Sequence, residues 1–226
     1  MNGDEPLRLV AAAHSRRVTA VDLVRESLRS AILRGDLPGN TRLVQTEIAA
    51  QLDVSTTPVR EAMRDLASDG LISLDSHKIG TVRTPDWNEM EEIVEIRRGL
   101  ERLALQRAMT NISTGELAMA RDLADQLDGE NDIGTWVQKN REFHCIFHNA
   151  TATLRLANIL VSLESAGGVF VAQAQRLHPE IRQRAISDHY ALLEAFDAND
   201  LDAAFQIQYL HVNLPLAAGQ MSEDTP

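Results

Sequence analysis

Apolar residues recur at helical spacing through most of the chain, and the pattern falls into two parts. From about Val21 to Arg34 they return every three or four positions, and Gly35 stands where a left-handed residue ends a helix. Pro38–Gly39 marks a turn, and a short helix is expected near Thr46–Leu52. A third helix should start with Thr57 as its cap and Pro58 at its first position, run to about Asp69 and stop at Gly70. Leu71–Leu74 and Thr81–Thr84 read as two short strands around a polar tip, Asp75–Gly80. Three helices and a hairpin in this order are the layout of a winged helix-turn-helix. From Asp86 the pattern is helical almost to the end. The predicted helices are 86–110, 114–128, 132–150, 154–177, 179–198 and 200–217, with Asp86 and Ser113 as caps and Pro179 at a helix start. The expected fold is mainly α: a winged unit over 19–84, then an all-α bundle of about six helices over 85–218. An arm over 1–18 and a tail over 219–226 flank them.

Three positions break the apolar pattern of the helical part in the same way. Ile133, Trp136, Val137, Asn140, Phe143, His144 and Phe147 form one inward stripe. Ala185, Ile186, His189, Leu192, Leu193 and Phe196 form a second, and Ala204, Ile207, Leu210, His211 and Leu214 a third. Each stripe aims an imidazole at the same core. A buried imidazole needs hydrogen-bond partners or a metal, so the cluster points to an internal site. Arg97 is a second internal anomaly, on a stripe with Met90, Ile93, Leu100 and Ala104. A buried guanidinium needs a partner, and Glu101 stands one turn on.

Composition adds the setting. The net charge of −11 argues against a nucleic-acid partner, but the charge is uneven. Residues 14–84 hold ten Lys/Arg against nine Asp/Glu, and residues 85–226 hold eleven against twenty-two, so the acidity belongs to the helical part. The single cysteine, Cys145, excludes an internal disulfide, fits a reducing cytosol and lies off the stripe as a packing residue. No secretory signal and no apolar run long enough to span a bilayer is read, so no membrane role is expected.

The segment Val54-Ser-Thr-Thr-Pro-Val-Arg-Glu-Ala-Met-Arg-Asp-Leu-Ala-Ser-Asp-Gly-Leu-Ile72 resembles the recognition helix of the GntR family of bacterial transcription regulators. Ala31-Ile-Leu-Arg-Gly-Asp-Leu-Pro-Gly-Asn-Thr-Arg-Leu43 and Glu47-Ile-Ala-Ala-Gln-Leu52 match the same family. The resemblance implies a double-stranded operator as partner, pseudo-palindromic and bound by a homodimer. Ser55, Thr56 and Thr57 would offer hydroxyls to phosphates at a helix N-terminus, and Arg60 would reach a phosphate or a guanine edge. His77 and Lys78 at the hairpin tip would touch the adjacent groove or backbone. Two positions depart from the family: Thr56 stands where arginine is frequent, and Thr46 where arginine or another polar residue is frequent. Arg16 and Arg17 in the arm read as part of a solvated tail, with DNA contact as the other reading.

The helical part resembles the FadR subfamily, in its metal-binding branch, through Ile96-Arg-Arg-Gly-Leu-Glu101, Asn140-Arg-Glu-Phe-His144, Asp188-His189 and His211. The histidines are spaced by 45 and 22 residues, as in that branch. The resemblance implies a divalent ion, Zn²⁺ or Ni²⁺, on His144, His189 and His211, to which three neutral imidazoles are suited. The branch has Asp where this chain has Asn140, a neutral and weaker ligand. His148 is a candidate substitute, and Glu142 points away from the stripe. Arg97 either pairs with Glu101 or, as the resemblance implies, clamps the carboxylate of a small effector.

The expected protein is a cytoplasmic, ligand-responsive transcription regulator that senses a small organic acid and is not an enzyme. A constitutive DNA-binding protein with a structural metal is one alternative. A three-histidine metalloenzyme, with Glu101 or Asp188 as base, is another, and the DNA-reading segment argues against it.

Overall fold

A computed structural model describes residues 19–75, 79–84 and 86–223, with ten helices and three strands among them. Helix α1 (Ala20–Arg34) starts at a reciprocal cap between Thr19 and Asp22 and ends at Gly35, whose φ of 87° a side chain would strain. Strand β1 (Arg42–Leu43) follows, then α2 (Gln45–Gln51) and α3 (Thr56–Ser68). Two residues of strand are too few to show an alternation, so β1 was not legible as a pattern. Ser55, not Thr57, occupies the cap of α3, and Pro58 sits third in the helix. The missing N–H costs nothing there either, because the first turn has no carbonyl to receive it. Strands β2 (Ile72–Leu74) and β3 (Gly80–Val82) pair antiparallel, and β1 joins the other edge of β3, giving the order β1-β3-β2.

Seven helices make the second part: α4 (Trp87–Asn111), α5 (Thr114–Asp128), α6 (Ile133–Asn149), α7 (Leu154–Leu177), α8 (Glu180–Asp197), α9 (Leu201–His211) and α10 (Leu214–Glu223). Asp86 and Ser113 cap α4 and α5 as their sequence positions predict. The helix expected over 200–217 is two helices. Pro215 cannot continue a helix but fits a first turn, so the chain breaks after His211 and restarts at Leu214. Gly219, expected to open the tail, lies inside α10, where an added Cβ would stand 2.5 Å from the Trp87 ring.

Helix α7 packs against α4, α6 and α10 at the centre of the bundle. By length and a mean hydropathy of 1.4 it would suffice to cross a membrane, which the sequence reading had not expected of any segment. Its Glu164, Ser165 and Gln175 are buried, and Glu164 and Gln175 meet Arg97 and Arg182, which fits a core helix. The winged part rests on the bundle through α1, which packs on α3 with one side and on α6 and α7 with another. Arg176 of α7 donates to the Leu33 carbonyl, and Arg83 after β3 holds Glu89 of α4 at 2.6 Å.

Candidate functional site

The buried face of α3 is Val59, Ala62, Met63 and Leu66. That leaves Ser55 and Thr57 exposed, Thr56 and Arg60 half-buried, and Arg64 exposed one turn beyond Arg60. Arg60 Nε is buried without a hydrogen-bond partner. The hairpin closes through Asp75, which accepts the Ile79 N–H at 2.9 Å. His77 and Lys78, and Arg16 and Arg17, lie outside the described residues.

In the bundle, α6, α8 and α9 bring His144, His189 and His211 together, all buried, with one ligand atom from each within 4.8 Å of the others. His144 Nε2 and His211 Nε2 are 3.0 Å apart. His189 has neither ring nitrogen hydrogen-bonded, although it is only 1% exposed. Asn140 Oδ1, one turn before His144, is likewise buried without a partner. Unpaired buried acceptors are costly, and His189 and Asn140, left without partners beside a His144–His211 pair that meets only itself, are groups a cation would satisfy. The Nδ1 of His211 faces Asp188 Oδ2 at 3.5 Å, and Arg184 Nε holds the other oxygen of Asp188 at 3.1 Å. The carboxylate lies on the Nδ1 side of His211 without hydrogen-bonding it, and Nε2 is turned to the cluster, the placing an outer carboxylate has beside a metal-ligating imidazole.

Burial, with His211, His189 and Arg97 nearby, pushes the pKa of His144 well below the ordinary imidazole value. Burial and His211 do the same to His189. Both are therefore held neutral, the form that binds metal. The three imidazoles can hold a metal ion, and borderline ions such as Zn²⁺ or Ni²⁺ suit an all-imidazole set. Trp136 stacks on His189 with ring centroids 6.3 Å apart, and Phe143 packs on both His144 and His189, so the walls are apolar.

Arg97 is paired on all sides. Its Nε and Nη2 donate to Glu101 Oε1 at 3.0 and 2.9 Å, and Nη1 meets Glu164 Oε2 at 2.8 Å. Burial pushes the carboxyl of Glu101 up, but Arg97 and His148 outweigh it and hold the pKa at about 2. His148 is buried beside Glu101, 3.6 Å from its Oε1, rather than in the histidine trio. Burial and Glu164 push the Cys145 thiol up to about 11, so it stays protonated, as a packing residue would. Glu142 is exposed and accepts from Gln138.

Asn140 lies between two openings. One is lined by Trp136, Gln175, Ile181, His211 and Leu214. The other reaches Glu164, Arg141 and, from the winged part, Arg29 and Leu33. Beyond Arg29 and Arg141 opens a polar cleft of about 330 Å³ that Asp65 and Asp69 of the winged part also line. Glu164 and Gln175 were missed in the sequence. Both interrupt the apolar face of α7, the same signal that singled out the histidines.

Residues 92–214 match the FCD domain family, and residues 21–81 match the gntR family of bacterial regulatory proteins. The chain is 29% identical to the HTH-type transcriptional regulator McbR of Escherichia coli strain K12, over 78% of this chain and 82% of that one. It is 34% identical to the Nta operon transcriptional regulator of Aminobacter aminovorans over 47% of this chain, a match spanning only 51% of that protein's length. The solved structure of E. coli McbR/YncC shares the fold, with a TM-score of 0.75 at 24% identity, covering 91% of this chain and all of that one. The matched families and these relatives are regulators of transcription rather than enzymes.

Proposed function

We propose, from the premise that this chain belongs to the gntR family of bacterial regulatory proteins and carries their FCD domain, that a small carboxylate bound at a metal on the histidine cluster sets its affinity for an operator. The chain is a transcriptional regulator with a DNA-reading winged domain. Two copies bind one pseudo-palindromic site in the cytoplasm, each presenting Ser55, Thr56, Thr57 and Arg60 from α3, with His77 and Lys78 at the wing. His144, His189 and His211 hold Zn²⁺ or Ni²⁺, with Asn140 Oδ1 as a neutral fourth contact. The observation that carries this reading is the convergence of three buried imidazoles, within 4.8 Å, beside an orphaned amide oxygen.

With no carboxylate among these ligands the ion keeps its full charge and attracts an anion. Arg97 adds positive potential at His144. Its nitrogens are already engaged by Glu101 and Glu164, two carboxylates to one guanidinium, so it is not free to clamp an effector carboxylate. When bound, the metal supplies a positive centre with exchangeable positions. The chain's own residues orient it, wall it from water and keep His144 and His189 deprotonated. Helix α6 carries Asn140 into this site and Arg141 to the cleft against α1 and α3, so a shift of α6 reaches the DNA-reading domain directly.

The test is an operator titration by gel shift with chelator-treated protein, metal-loaded protein, and metal-loaded protein with a panel of small acids. The reading expects about one divalent ion per chain and an operator affinity that an acid changes only when metal is present. Metal that binds while no acid alters operator affinity would instead make the ion a structural one.

A further inference from the structure

We propose that the effector is a monocarboxylate with a compact apolar body and one neutral oxygen acceptor away from the carboxylate, and that Gln175 reads that oxygen. This rests on the reading above that a carboxylate binds at the histidine centre.

The opening beside His211 and Asn140 encloses about 20 Å³ and widens into a mouth, about 270 Å³ of empty space in all, so the body of a ligand lies in the mouth. Its remaining walls are almost wholly apolar: Trp136, Val171, Ile181, Ala185, Leu214 and Pro215. Two donors interrupt them: the Trp136 indole N–H, buried without a partner, and Gln175, 3% exposed and on the wall of the opening. The orientation of its amide is fixed. Arg182 Nε donates to Gln175 Oε1 at 3.1 Å, and a guanidinium can only donate, so the atom that receives it is the oxygen. Arg182 is itself anchored, donating from Nη1 to the Glu130 carbonyl at 3.0 Å. The amide nitrogen is then left buried with no acceptor. A buried N–H₂ without a partner is costly, and an arriving oxygen atom offsets that cost.

The same wall discriminates against a second charge. The opening has no lysine or arginine in its lining. A dicarboxylate anchored at the metal would bury its other carboxylate against aromatic and aliphatic carbon, with only a neutral amide and an indole N–H to meet it. An apolar body bearing a ketone or ether oxygen satisfies both the wall and Gln175. A carboxylate anchor and a distal oxygen cannot be exchanged, because only one end of the opening has histidines.

The experiment is calorimetric titration of the full chain, loaded with Zn²⁺, against matched acids. 4-Oxopentanoate is compared with 4-methylpentanoate, and 4-methoxybenzoate with 4-methylbenzoate. In the benzoate pair the rigid ring holds the distinguishing oxygen too far from the carboxylate to chelate the metal, so a preference there cannot come from chelation. Glutarate supplies a diacid of similar length. In at least one pair the oxygen-bearing acid should bind about tenfold more tightly than its partner, with glutarate weakest. Gln175→Met keeps the length of the side chain, adds no charge and removes the donor. It should erase the preference, lowering the oxygen-bearing acid about tenfold while leaving its methyl partner and the metal content unchanged. The inference is overturned if glutarate binds more tightly than the monocarboxylates, or if Gln175→Met weakens both members of a pair alike. Should no acid bind, or should binding survive His211→Ala undiminished, the carboxylate reading of the centre falls as well.

Discussion

In the winged half, α3 turns Val59, Ala62, Met63 and Leu66 inward and leaves Thr57 and Arg60 on the side that faces out, so folding and function use different sides of one helix. In the helical half, Asn140, His144, His189 and His211 occupy the inward sides themselves, in places an apolar residue would fill. The first arrangement lets a contact residue change without touching the core. The second places the site where each polar group is a burden on folding until something binds it. A sensor domain built this way is coupled to its ligand by construction, because the ligand completes the packing.

The sharpest test of this contrast is Arg60→Ala. One good base contact is worth about 1–3 kcal/mol of discrimination, and a dimer would make it twice. Specific operator binding should be lost in gel-shift titration at fixed salt, with the melting temperature unchanged. An unaltered operator affinity, or a protein that melts early, would erase the distinction between the halves at this position.

His189→Ala comes next. Zn²⁺ should raise the melting temperature of the wild type, since a ligand that binds only the folded state stabilises it by mass action. The variant should show no such rise, and elemental analysis should find its metal gone. Asn140→Asp should act in the opposite direction, tightening metal about ten- to a hundredfold while the metal-free form loses about 1–3 kcal/mol for an unpaired buried carboxylate. A variant more stable than the wild type with and without metal would show that Asn140 is no part of the site.

Acid gives the smallest effect. The Glu101 carboxyl has a pKa of about 2 in the folded chain against an ordinary value of 4.5. A depressed carboxyl contributes stability that is present above the unfolded value and lost as pH falls toward the folded one. Its share, at most about 3 kcal/mol, should therefore disappear between about pH 4.5 and 2. Denaturant melts across that window should be flatter for Glu101→Gln, which starts less stable at neutral pH. Parallel slopes would mean that the pair with Arg97 is not what acid breaks.

The helices were legible where a cap and a period agree. The sequence reading placed α5 and α7 at the bounds the structure has, because Ser113 starts one and polar residues bracket the other. The break between α9 and α10 escaped because the apolar stripe runs on through Leu214 and outweighed Pro215. At the candidate site, the histidines stood out as polar residues on apolar stripes. Their surroundings did not. That Glu164 shares Arg97 with Glu101, or that Arg182 fixes the Gln175 amide, depends on which helices meet, and no spacing within one helix encodes it. Arg97 shows the limit from the other side: its partner one turn away was readable, and the second partner on α7 was not.

Helix α10 has its first turn, at Leu214 and Pro215, in the wall of the opening beside His211, and Gly219 further along pressed to the Trp87 ring at the start of α4. The chain has two tryptophans, and the other, Trp136, stacks on His189. Its intrinsic fluorescence therefore samples both ends of one mechanical path. With Trp136→Phe, emission comes from Trp87 alone, some distance from any bound ion or acid. A change in that emission on loading the histidine centre would be light reporting movement of α10 at the junction where the bundle meets the winged domain.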